Sequence, residues 1–317
     1  MLAINCFGKY PSHLLNIING KETKFNNKHS KDVLLIKYSN YSNKIFVLFK
    51  LGKLNVYNTE GDILSEYNIN TYSNTFDICL DNLVIGSQIT NNYLIEFYKF
   101  DDSDNSLDKF KEIKENGANI TNILFNPNNN NQIAYIINNH NYFSIFDLTT
   151  NIKQNSEYYM DLKLDLLDWI NNNILILLKE KRSWGISKIV IYNLNELSKI
   201  FEIIMGNRMS QPHQIITNDN NIIVLTSDND VNFYNNSTFL LEKSINLFEY
   251  NIANVHSIEF SKTTNEIFVC HSHIHCELMI NVLDLDTNSS MTVKEYDFCA
   301  DKIQMVHIPE NMEYLLK

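Results

Sequence analysis

The chain of 317 residues carries a formal net charge of −11, and 44% of its residues are hydrophobic. This apolar content is typical of a packed globular protein rather than a disordered one, and the length suffices for two ordinary domains or one large repeat domain. Because an acidic chain repels phosphate groups, we expect neither nucleic acid nor an anionic membrane surface as a partner.

The cysteines and the N-terminal stretch indicate the compartment. The five cysteines are sparse and form no C-x-x-C pair: Cys6, Cys79, Cys270, Cys276 and Cys299. This distribution favours a reducing compartment over a disulfide framework. Lys9, Pro11 and His13 interrupt the N-terminal apolar stretch, and no window reaches the roughly 20 apolar residues of a membrane-spanning helix. We expect a soluble cytoplasmic protein, in a host cytoplasm if the AT-rich genome that the many asparagines indicate is viral.

One short sequence motif, which we call the first phrase, recurs along the chain, and each copy predicts a strand, a polar turn and a strand. It is shown by LNVYNTEGDIL, from Leu54 to Leu64, where alternating apolar residues lead through Tyr57 and Asn58 into a turn. The other copies are HLLNIINGKETKF, LIEFYKFDDSD, FSIFDLTTN, IVIYNLNEL, VNFYNNSTFLLE and INVLDLDTN. Consecutive copies lie about 39 to 49 residues apart, which is close to the known propeller-blade period of roughly 40–50 residues.

A second phrase, two apolar strands around an Asn, Ser or Pro turn, precedes most copies of the first. ITNILFNPNNNNQIAYII shows it most clearly, and VHSIEFSKTTNEIFVC and LLIKYSNYSNKIFVLF repeat it. The two phrases together make a unit of four short strands. YYMDLKLDLLDWI is the best helical candidate, but its place in the repeat favours strands.

A four-stranded unit repeated about seven times predicts an all-β fold, a seven-bladed β-propeller of four-stranded antiparallel blades in a single domain over residues 1–317. We predict that the last blade is closed by both termini. Residues of about 1–25 would supply its last two strands, and residues of about 300–317 its first two. MLAINCF is an alternative second strand, and MEYLLK would then be surplus.

The ends of the third strands carry a family resemblance. Phe146-Asp147 and Leu283-Asp284 keep an aspartate there, and three other copies carry an aromatic residue and an amide: Tyr57-Asn58, Tyr192-Asn193 and Tyr234-Asn235. Over essentially its whole length the chain therefore resembles the WD-repeat β-propellers, although their Gly-His signature is missing. The resemblance implies that partner peptides bind on the face around the central channel. Other seven-bladed propellers, including enzymes, remain open.

The stretch CHSHIHC, from Cys270 to Cys276, is the most conspicuous polar cluster. In a continuous strand His271, His273 and His275 would share one face, and imidazoles in that arrangement suit zinc or copper. The blade pattern instead places the stretch at the turn between second and third strands, with no evident fourth ligand. We therefore predict no metal or cofactor, and consider the stretch as either a polar contact loop or a solvated loop.

The stretch KEKRSWGIS lies at the equivalent turn of another blade. Arg182 and Trp184 are residue types enriched at interface hot spots, although a Trp folded over the blade edge beneath a stacked Arg is the alternative. Both turns should lie on one face of the disc. The candidate partner-binding residues are therefore Arg182, Trp184, His273 and His275.

The sequence contains no catalytic motif, neither a glycine-rich phosphate loop nor a G-x-S-x-G elbow. The carboxylate pairs Asp101-Asp102 and Asp284/Asp286 follow third strands and are expected to form turns. We therefore expect a non-enzymatic scaffold or adaptor that binds an unknown protein, either as a monomeric disc or as a subunit of a complex. The alternative is a propeller enzyme, hydrolase-like or lactonase-like, with a metal or acidic site at the channel mouth.

Overall fold

The protein is a ring of seven four-stranded antiparallel sheets, as seen in a computed structural model. The structure describes residues 1–6, 12–16, 21–25, 33–69, 72–89, 92–115, 120–137, 142–156, 162–170, 173–180, 187–205, 212–218, 220–261, 264–272, 277–296 and 303–308. The predicted seven-bladed β-propeller is confirmed. Within these ranges, no helix is long and apolar enough to cross a membrane.

The blade that contains strands from both ends of the chain is called the closing blade. The first three strands of the chain belong to it: β1 (Leu2–Cys6), β2 (His13–Leu15) and β3 (Glu22–Lys24). Blade 1 consists of β4 (Val33–Ser39), β5 (Lys44–Phe49), β6 (Lys53–Tyr57) and β7 (Ile63–Asn68). Blade 2 consists of β8 (Thr75–Cys79), β9 (Asn82–Ile89), β10 (Asn92–Asp101) and β11 (Ser106–Glu115). Blade 3 consists of β12 (Ile120–Asn126), β13 (Asn129–Ile137), β14 (Phe143–Asp147) and β15 (Ile152–Asn155).

Blade 4 consists of β16 (Leu162–Ile170), β17 (Asn173–Glu180), β18 (Ser187–Asn193) and β19 (Lys199–Met205). Blade 5 consists of β20 (Pro212–Thr217), β21 (Asn221–Thr226), β22 (Asp230–Asn235) and β23 (Leu241–Asn246). Blade 6 consists of β24 (Val255–Phe260), β25 (Glu266–Ser272), β26 (Leu278–Asp284) and β27 (Ser289–Tyr296), and β28 (Ile303–His307) completes the closing blade. Two short 3₁₀ helices are present among the described residues, Lys50–Gly52 and Leu247–Tyr250.

The closing blade has the strand order β28-β1-β2-β3, so one strand comes from the C-terminal part of the chain and three from the N-terminal part. The predicted sharing of this blade by both ends of the chain is confirmed. Its division into two strands from each end is wrong, and the alternative with MLAINCF as the second strand is confirmed. β1 is the second strand, because its apolar residues pair with β28 on one side and β2 on the other, as in Leu2↔His307 and Leu2↔Leu15. MEYLLK, residues 312–317, lies outside the described residues.

Apolar side chains fill the junctions between blades. Among the described residues, seven apolar clusters occur, and each joins two neighbouring blades. At the closing junction, for example, Ile4 of β1 packs with Phe268 of β25 and Met305 of β28. Burial of such aliphatic and aromatic side chains stabilises the ring by about 25 cal/mol per Å² of apolar surface. Each blade thus depends on its neighbours for its core.

The recurring Asn or Asp at the end of the third strand shapes the turn into the fourth. Asp147 Oδ1 accepts hydrogen bonds from the backbone N–H of Thr149 at 2.9 Å and of Thr150 at 2.8 Å. Asn193 Oδ1 accepts two equivalent bonds in blade 4. The side-chain oxygen accepts the hydrogen bonds of backbone N–H groups in the turn. Because Asp and Asn both offer such an oxygen, either residue can occupy this position of the repeat.

The antiparallel path gives the disc two distinct faces. Each blade is entered from one side, and that side also carries the loops between second and third strands, including Lys50–Gly52. We call this side the connection face; the segment Leu247–Tyr250, between blades 5 and 6, lies there too. The opposite side, which we call the turn face, carries the turns between first and second strands and between third and fourth strands.

Candidate functional site

The first strands of the blades surround a central channel with a volume of about 500 Å³. We call these first strands the inner strands. In each of them a buried apolar residue is followed by a residue at the channel. The buried residues are Ile36, Phe76, Ile123, Leu167, Ile215, Ile258 and Met305. The residues that follow them are Lys37, Asp77, Leu124, Asp168, Ile216, Glu259 and Val306. All of the latter except Asp77 line the cavity directly, and Asp77 is bound to Lys37.

The charges around this ring alternate with aliphatic residues. Asp77, Asp168 and Glu259 come from blades 2, 4 and 6, while the corresponding residues of blades 3, 5 and the closing blade are aliphatic. Lys37 of blade 1 supplies the ring's ammonium group. Three carboxylates and one ammonium give the ring a formal charge of −2. The channel therefore favours cations over anions.

Burial disfavours the charged forms of both Lys37 and Asp168, but only for Lys37 do the neighbouring charges outweigh this effect on the pKa. The Lys37 Nζ lies 3.2 Å from Asp77 Oδ1. Burial alone would lower the pKa of the Lys37 ammonium, but Asp77, with Asp168 and Glu259 farther away, raises this pKa above its usual value. Burial raises the pKa of the Asp168 carboxyl, although hydrogen bonds from Trp169 N–H and the Thr217 hydroxyl and the charge of Lys37 oppose the shift.

Several of these polar side chains join one blade to the next. Asp77 Oδ2 accepts a hydrogen bond from Phe125 N–H of blade 3 at 2.8 Å. Asp168 Oδ2 accepts one from the Thr217 hydroxyl of blade 5 at 3.0 Å. The channel groups therefore both hold the ring together and set its electrostatic potential. In the described part of the chain, no group of three His, Cys, Asp or Glu side chains could hold a metal ion.

Of the predicted site residues, only His271 lies within the described residues. It belongs to β25, is 2% exposed, and its Nε2 lies 3.2 Å from Asn281 Oδ1 of β26. His271 is thus a buried strand residue that contacts the neighbouring strand. His273, His275, Arg182 and Trp184 lie outside the described residues. Their segments join second to third strands, β25 to β26 and β17 to β18. The prediction that all of CHSHIHC lies at this turn is wrong, because Cys270, His271 and Ser272 form the end of β25.

The predicted turn-forming carboxylates behave as expected. Asp101 Oδ1 accepts hydrogen bonds from the backbone N–H and the hydroxyl of Ser103, and these bonds lower the pKa of Asp101. Asp284 accepts backbone bonds from Asp286 and Thr287, which lower its pKa likewise. In both turns the hydrogen bonds favour the ionised carboxylate, which stabilises the local turn.

Sequence reasoning did not identify the channel ring. The available signal was a single charged residue within an otherwise apolar first strand, as in LLIKYS, TFDIC, LLDWI and SIEF. Nor did it identify the large apolar side chains exposed on the connection face. Leu51 is 77% exposed, Tyr72 is 59% exposed and Phe248 is 54% exposed, and all three lie in loops or connections on that face.

Solved structures resemble this fold, whereas no protein-family model and no curated protein matches the chain. The β-propeller domain of Myceliophteria thermophila Cps50 (Swd1) is 9% identical, with a TM-score of 0.63 over 86% of this chain and 87% of that one. The dihydro-heme d1 dehydrogenase NirN is 9% identical, with a TM-score of 0.63 over 97% and 75%. The Dos1 propeller is 10% identical, with a TM-score of 0.59 over 92% and 80%. At such identities the likeness shows the propeller fold alone.

Proposed function

We propose that the protein is a non-enzymatic interaction scaffold, a WD-repeat-like propeller that binds another protein on its connection face. The observation that carries the proposal is the exposure of large apolar side chains on loops of the ring: Leu51, Tyr72 and Phe248 on the connection face, and Tyr41, Leu80 and Leu240 on the turn face. The connection face is favoured because the segment with the predicted contact residues Arg182 and Trp184 joins a second to a third strand there. Such side chains lose little conformational entropy on binding when the backbone beneath them is fixed. Binding residues are disproportionately found on loops that a rigid scaffold positions.

The inner strands provide the rigidity that this role requires. Gln214 of blade 5 binds the backbone of Ile258 in blade 6, and Gln304 of the closing blade binds that of Ile36 in blade 1. With the bonds of Asp77 and Asp168, at least four blade junctions are bridged next to the channel. A scaffold of this kind acts as a monomeric disc or as a subunit of a complex, and its net charge of −11 disfavours nucleic acid as the partner.

Affinity capture from the cytoplasm tests the proposal. The tagged protein is compared with a variant carrying Arg182→Ala and Trp184→Ala, in the segment between the second and third strands of blade 4. A variant with Tyr41→Ala, at an exposed position on the turn face, serves as the control. We expect a protein partner that is captured by the parent and the control and is lost from the double variant. Capture of no partner by any form contradicts the scaffold.

A propeller enzyme is the second candidate, and the ring of alternating channel carboxylates favours it. Asp168 and Glu259 line a cavity within the size range of small-ligand sites, and Asp77 is bound to Lys37, which also lines it. One structural neighbour, NirN, is a dehydrogenase with a propeller. Metal analysis of the purified protein and of the His273→Ala variant, with a hydrolase substrate screen on the Asp168→Asn variant, tests this candidate. A stoichiometric metal lost in the first variant, or a turnover lost in the second, would support the enzyme.

A further inference from the structure

A groove with a volume of about 140 Å³ lies on the face of blade 3 from which Ile145 packs against blade 4. The strand register explains why its lining residues meet. Asp147, at the end of β14, lies opposite Gln132 of β13 on one side and Ile152 of β15 on the other. Ile145 and Gln154 form the next cross-strand pair on the same face. All five side chains line the groove.

Asp147 keeps one carboxylate oxygen without a partner. Its Oδ1 accepts the three hydrogen bonds of the turn that follows β14. Among the described residues, no hydrogen bond reaches its Oδ2 and no ion pair includes it. Lys111 of β11 is bound to Asn151, and Lys153 of β15 is bound to Glu115. The two lysines of this region therefore do not neutralise the Asp147 carboxylate.

The rest of the groove suits a long cationic side chain. Ile145 is buried, whereas Ile152 is 55% exposed next to Asp147. Gln154 is exposed and adds an amide oxygen as a second acceptor. Long cationic side chains bury their methylene groups against apolar surface while their charge stays at a polar partner. At about 140 Å³ the groove is smaller than the roughly 300–1,000 Å³ of small-molecule sites, so one side chain suits it better than a whole ligand.

Blade 5 shows how the same position is filled from within the chain. Asn221 lies opposite Asn235 there, as Gln132 lies opposite Asp147 in blade 3. Glu242 of the fourth strand binds both amides, with its Oε1 2.8 Å from Asn235 Nδ2 and its Oε2 3.0 Å from Asn221 Nδ2. In blade 3 the third strand carries the carboxylate, and the fourth strand offers an isoleucine that cannot donate a hydrogen bond. A donor complementary to the carboxylate would therefore come from another molecule.

We propose that this groove binds an arginine side chain of a partner protein. The planar guanidinium has several N–H donors, so it can bond to Asp147 Oδ2 and the Gln154 amide oxygen together while its stem packs on Ile152. A lysine ammonium is a compact charge and suits two separate acceptors less well. The groove adjoins a turn between third and fourth strands and so belongs to the turn face. It is therefore a second site, separate from the contact proposed on the connection face.

Methyl nuclear magnetic resonance of isoleucine-labelled protein tests the site, with N-acetyl-arginine methylamide and its lysine counterpart as probes. We expect the arginine compound to shift the Ile145 and Ile152 signals with a dissociation constant in the millimolar range. The lysine compound should bind at least about threefold more weakly. Asp147→Asn keeps the acceptor of the turn but removes the charge, and it should weaken binding of the arginine compound at least about fivefold.

Asp284→Asn is the matched control, because Asp284 ends the third strand of blade 6 in the same way. It lies opposite a second carboxylate, Glu266, but Ser289 stands where blade 3 has Ile152. Asp284→Asn removes the same unit of charge and should leave binding of the arginine compound unchanged. Equal losses in Asp284→Asn and Asp147→Asn would come from the net charge of the protein and would overturn the proposal.

A second variant keeps the test decisive if Asp147→Asn melts well below the parent. Ile152→Ser changes an exposed position to the residue of blade 6, and it should weaken binding of the arginine compound about twofold or more. Ile145 then reports the binding. The arginine site is wrong if neither isoleucine signal shifts in the parent, if both variants bind like the parent, or if the lysine compound binds equally well.

A displayed library of random peptides distinguishes a protein partner from a small guanidinium compound. Peptides enriched on the parent should share an arginine at one position and bind more tightly than the capped amino acid. They should lose affinity for Asp147→Asn but not for Asp284→Asn. If no peptide binds more tightly than the capped arginine, the groove serves a small guanidinium compound and the partner protein is excluded. Failure of the scaffold proposal, in contrast, would appear in the Arg182 and Trp184 variant.

Discussion

Gln214 pairs with both backbone polar groups of Ile258 on the next blade. Its Nε2 donates to the Ile258 carbonyl at 2.8 Å, and its Oε1 accepts from the Ile258 N–H at 2.8 Å. Gln304 makes the same two bonds to Ile36, at 3.0 and 3.1 Å. At both junctions a side-chain amide acts as a peptide group between inner strands of different blades. The blades are therefore joined by directional bonds as well as by apolar packing.

Replacement of Gln214 by leucine should destabilise the ring. Leucine leaves the buried Ile258 N–H and carbonyl without their partner, and the free energy of unfolding should fall by about 2 kcal/mol. Urea denaturation measures this change. Gln154→Leu, at an exposed position of the outer strand β15, is the control and should change stability by less than about 0.5 kcal/mol. Equal stability of the two variants would show that the amide bridge contributes nothing.

The raised pKa of Asp168 predicts a pH-dependent effect of its removal. Burial raises this pKa above the unfolded value of about 4, so the contribution of Asp168 to stability is greatest at acid pH and is lost as the pH rises through the folded pKa. Asp168→Asn titrates at no pH. Relative to the parent, this variant should therefore gain stability between pH 4 and pH 7, as measured by its melting temperature at both values.

Asp101→Asn is a control whose stability relative to the parent should change with pH in the opposite direction. Hydrogen bonds from Ser103 lower the pKa of Asp101, so its contribution to stability is present at neutral pH and lost as the pH falls through the folded pKa. Relative to the parent, Asp101→Asn should lose stability between pH 2 and pH 7, with most of the change below pH 4 because both the folded and the unfolded pKa lie there. If both variants shift in the same direction, the burial of Asp168 does not control its ionisation.

The sequence allowed prediction of the blades but not of the channel. Blade number and strand order follow from local features, since the apolar alternation and the turn residues recur with each unit. Residues at the channel depend on the face to which each inner-strand side chain points. Five inner strands contain a bulge near their start, for example between Val33 and Leu35 and between Leu164 and Leu166. A bulge exchanges the two faces of a strand, so simple alternation could not assign Lys37 or Asp168.

The closing blade shows a second limit of local patterns. The pairing of Leu2 with His307 joins residues that are 305 positions apart, and no local sequence feature near either residue predicts it. Both MLAINCF and DKIQMVHIPENMEYLLK contain short apolar runs that suit strands. Only ring closure determines that β1 lies between β28 and β2. The predicted partner-binding residues Arg182 and Trp184 remain predictions, because they lie outside the described residues.

Gly86, in the second strand of blade 2, lies where the inner strands β8 and β12 of blades 2 and 3 both come close to it. A Cβ atom at this position of β9 would lie 2.9 Å from Thr75 Cγ2 and 3.0 Å from Ile120 Cγ2. Gly86→Ala should therefore lower the free energy of unfolding by about 1–3 kcal/mol through overpacking. Adding Thr75→Ser removes the nearest methyl group and should restore part of the loss. Thermal melts of the single and double variants measure this, and a neutral Gly86→Ala would show that the junction is looser than the distances indicate.

Asp147 distinguishes the effect of a turn acceptor from the effect of a charge. Its Oδ1 accepts bonds from Thr149 and Thr150, and Asn193 makes equivalent bonds in blade 4 with an uncharged amide. Asp147→Ala removes the acceptor and should lower the free energy of unfolding by about 1 kcal/mol. Asp147→Asn keeps the acceptor and should stay within about 0.5 kcal/mol of the parent in urea denaturation. Equal losses in the two variants would mean that the negative charge stabilises the turn, so that the asparagines of the other blades would not be its equivalents.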